Sequence, residues 1–191
     1  MKKTLHGFSL VELTVVIAIV AITAYLAMPS FYQWKNKHNV EAAVSTLMDA
    51  INFTRYTAIE TDSTITLCPT SDHQHCSKDW QGALMIFKDS NKDRTLNTDE
   101  ELIRIENLNL EGYIKSESWF GSHRYLQMTP GGLTNNQNGR YTICPSNGDS
   151  QLARQIIINR RGKARLAKDW NQDGIVDGSK GNPVSCGTNA A

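Results

Sequence analysis

The stretch FSLVELTVVIAIVAITAYLAM, Phe8 to Met28, decides how this chain is built. About 20 almost wholly apolar residues make a helix about 30 Å long, the thickness of a bilayer's hydrocarbon core. Its one charged residue is Glu12. A carboxylate at membrane depth costs roughly 2.5 to 3.5 kcal/mol on insertion scales, so a plain anchor has no reason to keep one. Glu12 therefore needs a compensating group. Lys2 and Lys3 precede the stretch and predict a cytoplasmic N-terminus, with everything after Met28 on the far side of the membrane. A cleaved secretory signal fits less well, because Glu12 interrupts the apolar region and Tyr25 replaces the small residue expected two positions before Ala27.

The helical pattern outlasts the membrane. Pro29 lacks a backbone donor and is expected to kink the helix, yet Val40, Val44, Leu47, Ile51 and Ala58 follow at spacings near three and four. Lys35, Lys37, Glu41, Asp49 and Glu60 fall on other faces. Beyond Asp62 the composition turns to short strands: Thr64 to Leu67, Ala83 to Phe87, Glu101 to Ile105, Tyr125 to Met128, Arg140 to Ile143, Arg154 to Asn159 and Ala164 to Ala167. Pro130-Gly131-Gly132, Asn138-Gly139, Asn147-Gly148-Asp149 and Arg161-Gly162 read as the turns between them. The expected fold is α+β, a long N-terminal helix with a membrane-spanning first half packed on an antiparallel sheet domain. The segments are a leader at 1–7, a transmembrane helix at 8–28, its amphipathic continuation at 29–62 and a β-rich globular domain at 63–191.

At its start the chain resembles a type IV prepilin, through Gly7-Phe8-Ser9-Leu10-Val11-Glu12-Leu13 ahead of a long apolar helix. The resemblance implies cleavage after Gly7 by a prepilin peptidase, N-methylation of Phe8, and Glu12 facing the new amine of a neighbouring subunit in a filament. Farther on, Thr54-Arg55-Tyr56-Thr57-Ala58-Ile59, Ile65-Thr66-Leu67-Cys68-Pro69, Trp80-Gln81-Gly82, Phe87-Lys88-Asp89 and Asp99-Glu100-Glu101-Leu102 resemble the GspH/FimT/FimU family of minor pilins and pseudopilins. This implies a minor subunit that helps to initiate or cap a pilus. Other major and minor pilins would be its partners, and it would pass from the inner membrane into the filament. A pseudopilin of type II secretion is the alternative within the family. Catalysis finds no support, since no nucleophile elbow, phosphate loop or metalloprotease helix occurs in the sequence.

Four cysteines, Cys68, Cys76, Cys144 and Cys186, lie past the membrane segment. Their even number predicts two disulfides in an oxidising compartment, and their order suggests Cys68 to Cys76 and Cys144 to Cys186. Zinc is the rival near His73, His75 and Cys76, but the cysteine spacing is not that of a finger or ribbon.

The formal net charge is +1, yet Arg154, Arg160, Arg161, Lys163, Arg165 and Lys168 crowd one segment without an acid until Asp169. If the flanking strands pair, Arg160, Arg161 and Lys163 sit at a hairpin tip and offer several phosphate-binding groups together. Gly162-Lys163-Ala164-Arg165 resembles the G-R-x-R motif of DNA-binding FimT proteins, with lysine replacing the first arginine and losing its bidentate fork. Double-stranded DNA is thus a candidate partner, against a solvated basic turn or a contact for another subunit. Trp170 and Tyr141 are candidates for stacking on bases or for the core.

Two acidic loops suggest calcium as a cofactor. Asp89, Asn91, Asp93 and Glu100 take positions one, three, five and twelve of an EF-hand-like loop, and Asp169-Trp170-Asn171-Gln172-Asp173-Gly174 repeats the opening. Arg94 stands where glycine is preferred in the first, and Lys180 where the bidentate acid belongs in the second. Asx turns without metal account for the same residues.

Overall fold

A computed structural model of the chain describes residues 9–118 and 124–187. The chain divides at Lys35 and Asn36 into two units. One helix, α1, runs 51 residues from Leu10 to Glu60. Its backbone is helical through Pro29, so the proline does not end it. Asp62 closes the other end with a left-handed φ of 46°, and Ser63 donates its N–H to the Ala58 carbonyl at 3.3 Å. This is the 6→1 bond of a Schellman cap, with aspartate in glycine's usual place.

Among the described residues eight strands follow: β1 (Ile65–Thr70), β2 (Ala83–Lys88), β3 (Leu102–Asn107), β4 (Gly112–Ser118), β5 (Leu126–Met128), β6 (Gly139–Pro145), β7 (Arg154–Ile158) and β8 (Ala164–Leu166). They form two four-stranded sheets, ordered β3-β2-β1-β5 and β4-β6-β7-β8, with every pairing antiparallel. The sequence anticipates seven strands to within a few residues and a single sheet. It misses β4, whose Gly-Tyr-Ile-Lys-Ser-Glu-Ser shows no sustained alternation. Asn138-Gly139 is not a free turn: Gly139 opens β6, opposite both Ser118 and Ile158. Pro69 is tolerated within β1 because β5 pairs that strand only over Ile65 to Leu67, leaving the proline where the ladder on that side has ended.

The second half of α1 supplies the core. Val40, Val44, Leu47, Ile51 and Ala58 are all buried, together with Ala43 and Ala50. They pack with Ile65, Leu67, Leu84 and Ile86 of one sheet and Tyr141, Ile143, Ile156 and Ile158 of the other. Thr54 shares the buried stripe and satisfies its hydroxyl on the Ala50 carbonyl at 2.7 Å. Trp80 and Tyr141 meet edge-on, with ring centroids 4.7 Å apart. Tyr141 is therefore a core residue and is excluded as a base-stacking platform; burial pushes its phenol upward in pKa.

Both predicted disulfides are present, Cys68–Cys76 and Cys144–Cys186. The first bridge removes Cys76 from the zinc candidates. His75 is also engaged, with Nδ1 2.7 Å from Asp72 Oδ2. Asp72 accepts backbone N–H bonds from His75 and Gln74, which hold its carboxyl far below the usual range.

Candidate functional site

The first half of α1 is a surface without a counterpart in its own unit. From Leu10 to Met28 its large apolar side chains are all exposed, and no part of the most hydrophobic window is buried. Burying one such side chain is worth roughly 1.5 to 3 kcal/mol. A dozen left in water would outweigh a typical domain's whole stability of about 5 to 15 kcal/mol, so lipid or other helices must cover them. The few polar groups are matched to such surroundings: Thr14 donates to the Val11 carbonyl at 2.9 Å and Thr23 to the Ile19 carbonyl at 2.9 Å. Tyr25, Phe31, Tyr32 and Trp34 are exposed near the end of this run, close to exposed Lys35 and Lys37. Amphipathic rings followed by cations are the composition of a bilayer interface.

Glu12 has a partner within its own chain, Ser9. Ser9 N–H donates to Glu12 Oε2 at 3.3 Å, and Glu12 N–H donates to Ser9 Oγ at 3.2 Å. This reciprocal pair is a capping box, and Ser-x-x-Glu before an apolar run was its legible signal. The carboxylate thus satisfies a helix-terminal donor within its own chain, but both residues are exposed and no cation meets it among the described residues. Gly7 and Phe8, the expected cleavage and methylation positions, lie outside the described residues.

The basic segment folds as anticipated, into a hairpin of β7 and β8 at the edge of the second sheet. Its turn is tight. Asn159 N–H donates to the Lys163 carbonyl at 3.2 Å and Gly162 N–H to the Asn159 carbonyl at 3.0 Å. Gly162 adopts a φ of +70°, and a Cβ there would come within 2.2 Å of the Gly132 carbonyl oxygen. Both the backbone conformation and the close approach demand glycine. The tip is docked as well: Arg55 Nε donates to the Gly132 carbonyl at 3.0 Å, and Thr134 N–H donates to the Arg160 carbonyl at 3.1 Å.

Docking the backbone leaves the side chains outward. Arg160, Arg161, Lys163, Arg165 and Lys168 are all exposed, and among the described residues none forms an ion pair with a carboxylate. Arg154 is drawn away, toward Glu41 at 3.7 Å. Lys168 Nζ lies 5.6 Å from the ring centroid of Trp170, which is 72% exposed. The structure so brings together five cations and one exposed indole. Arg165 within the edge strand β8, flanked by Lys163 and Lys168, also discourages that edge from pairing with another sheet.

The calcium candidates separate into two cases. In the first loop, oxygens of Asp89, Asp93 and Glu100 lie within 4.8 Å of one another. Asn91 is beside them, with Nδ2 2.9 Å from Asp93 Oδ2. Arg94 takes a φ of 66° despite not being glycine, so the backbone makes the turn for which glycine is preferred. In the second loop, Asp169 spends both oxygens on the N–H groups of Gln172 and Gly174, at 2.7 and 2.9 Å.

Residues 43–162, well over half of the chain, match the family described as "Type II transport protein GspH". No curated protein matches significantly. Among solved structures, the type IV minor pilin FimU of Pseudomonas aeruginosa aligns with a TM-score of 0.54 at 17% identity, covering 80% of this chain and 98% of that one. A second crystal form of FimU gives 0.51 at 21% identity, covering 76% and 98%. At such identities the likeness bears on the fold: a long apolar N-terminal helix with antiparallel sheets. The family match over residues 43–162 makes the assignment, and the chain belongs to the GspH family of structural, non-enzymatic pilins and pseudopilins.

Proposed function

We propose that the chain is a minor filament subunit, held in the inner membrane with its N-terminus cytoplasmic and its β-domain periplasmic. Prepilin peptidase cuts it after Gly7, the new amine of Phe8 is methylated, and the subunit then helps to initiate or cap a pilus beside other pilins. The observation that carries this reading is the exposed apolar surface from Leu10 to Met28, which bilayer and filament core cover in turn. Glu12 becomes the pairing group for a neighbour's cationic amine, a role open to a carboxylate at the very start of the helix. Helix and cut are common to pilus and secretion pseudopilus, so the reading extends to a short pseudopilus. Intact-mass measurement of the protein from assembled filaments is expected to show loss of Met1 through Gly7 and gain of one methyl group. Assembled material that retains the seven residues is the result against it.

A second reading, as a DNA-binding minor pilin for uptake of double-stranded DNA, is favoured by the five exposed cations of the hairpin segment. Binding would go through phosphates and need no base-reading residues. The whole chain in detergent is expected to retard duplex DNA at low salt. Each phosphate contact removed lowers the salt slope by about one, so a Lys163→Ala and Arg165→Ala double variant should lower it by about two. A slope unchanged in that variant, or no retardation at low salt, eliminates this reading.

A further inference from the structure

We infer that the loop from Asp89 to Glu100 is a calcium site of the EF-hand loop type, one that ties the Cys68–Cys76 loop to the edge of the first sheet. Spacing and turns alone do not carry this, because the loop from Asp169 repeats them. In both loops the third position accepts the N–H of the fifth (Asn91 from Asp93, 3.0 Å; Asn171 from Asp173, 3.2 Å), and the fifth accepts that of the seventh (Asp93 from Thr95, 2.8 Å; Asp173 from Ile175, 2.8 Å). In both, positions four and six are left-handed: Lys92 at 62° and Arg94 at 66°, Gln172 at 62° and Gly174 at 89°. The second loop serves as an internal comparison, a turn that shares these bonds but, among the described residues, has no three converging carboxylates.

What singles out the first loop is Asp89 within its carboxylate cluster: Asp177 of the second loop also holds a buried Oδ1 without a hydrogen-bond partner, but among the described residues it belongs to no such cluster. The Asp89 side chain is wholly buried. Oδ2 accepts three bonds, from Thr66 Oγ1 at 2.6 Å, Gln127 Nε2 at 2.8 Å and Arg94 N–H at 3.3 Å. Oδ1 is equally buried and accepts none. An anionic oxygen removed from water with nothing to meet it is among the most unfavourable groups a protein holds. Here it belongs to the residue that shares a 4.8 Å cluster with Asp93 and Glu100. A divalent cation answers the orphaned oxygen and the crowded charge together. The ligand set is hard oxygen, which suits calcium rather than zinc. Asn97, at position nine, donates Nδ2 to Asp93 Oδ2 at 3.0 Å and reaches Glu100 Oε2 at 3.4 Å. Turning that amide over would present its oxygen to an ion in the same place.

The loop touches the rest of the domain where order matters. Leu96 N–H donates to the Gln74 carbonyl at 2.8 Å, and Thr95 bridges His75, both within the Cys68–Cys76 loop. Thr66 and Gln127 fix Asp89 from β1 and β5. An ion bound at Asp89 thus joins the disulfide loop to two strands.

The test is calorimetric titration of chelator-stripped full-length chain in detergent with calcium chloride, alongside thermal unfolding in the same buffers. Binding is expected near the 10⁻⁴ to 10⁻³ M range of extracellular calcium modules, with a rise in unfolding temperature that magnesium at equal concentration does not reproduce. Asp93→Asn with Glu100→Gln should weaken binding at least tenfold, and Glu100→Gln alone should weaken it if the double variant does not fold. Asp173→Asn should leave it unchanged. No binding at about 10 mM calcium, tenfold or more above that range, overturns the proposal. So does an equal response to magnesium, an affinity unmoved by the Glu100 change, or one lost on changing Asp173.

Discussion

Glu12→Ala is expected to cut incorporation of the subunit into filaments at least tenfold while leaving the β-domain folded. Two effects oppose each other in the variant. Losing the carboxylate makes the first half of α1 a better membrane span, by roughly 2.5 to 3.5 kcal/mol on insertion scales, so storage in the bilayer does not suffer. Leaving the bilayer for a filament then lacks the attraction to a neighbour's amine, about 4 kcal/mol for unit charges 4 Å apart at an effective dielectric near 20. The Ser9–Glu12 capping box supplies the control that separates pairing from helix initiation. Glutamine at position 12 keeps the reciprocal cap but carries no charge. Glu12→Gln should therefore fail in assembly like the alanine variant. Copurification of either variant with other minor pilins at the level of the unaltered protein would show that the charge is not the assembly determinant.

Removing the Cys144–Cys186 bridge, by serine at both positions, is expected to lower stability by about 3 to 4 kcal/mol in the chain-entropy account, for a sequence separation of 42. The Cys68–Cys76 bridge closes a separation of only 8 and should contribute about 2.5 kcal/mol by the same relation. Both long-range sulfurs are buried with Tyr113, Ala153 and Val184, so packing loss adds to the larger effect. Urea unfolding monitored by fluorescence is the measurement. A smaller fall for the Cys144/Cys186 variant than for the Cys68/Cys76 variant would contradict the loop-length argument.

The features legible in the sequence are those written in local patterns. Val40, Val44, Leu47, Ile51 and Ala58 announce a buried helical stripe, and all five are buried. Arg161-Gly162 announces a hairpin tip, and Gly162 stands there with φ +70°. β4 was illegible because its partner β6 lies more than twenty residues on, and the pairing, rather than any propensity of Lys115, Ser116 or Glu117, makes it a strand. Likewise Arg94 looked unfit for a calcium loop by residue type, but the chain takes the left-handed turn with an arginine whose guanidinium stacks 5.0 Å from the Tyr125 ring centroid. The docking of the tip onto Gly132 and Arg55 rests on separations that no local motif encodes. The Ser9–Glu12 cap differs, since its Ser-x-x-Glu motif is local and legible in the sequence.

Cys144 lies in β6 and Cys186 near the chain's end, so their bond encloses β7, β8 and the basic tip in one covalent ring. A protease that nicks the exposed turn at Arg160 or Arg161 cuts that ring once, and the two severed ends stay attached to the same body through sulfur. A trypsin-like attack at this cationic turn would thus scar the molecule without shedding a fragment, until a reductant arrives.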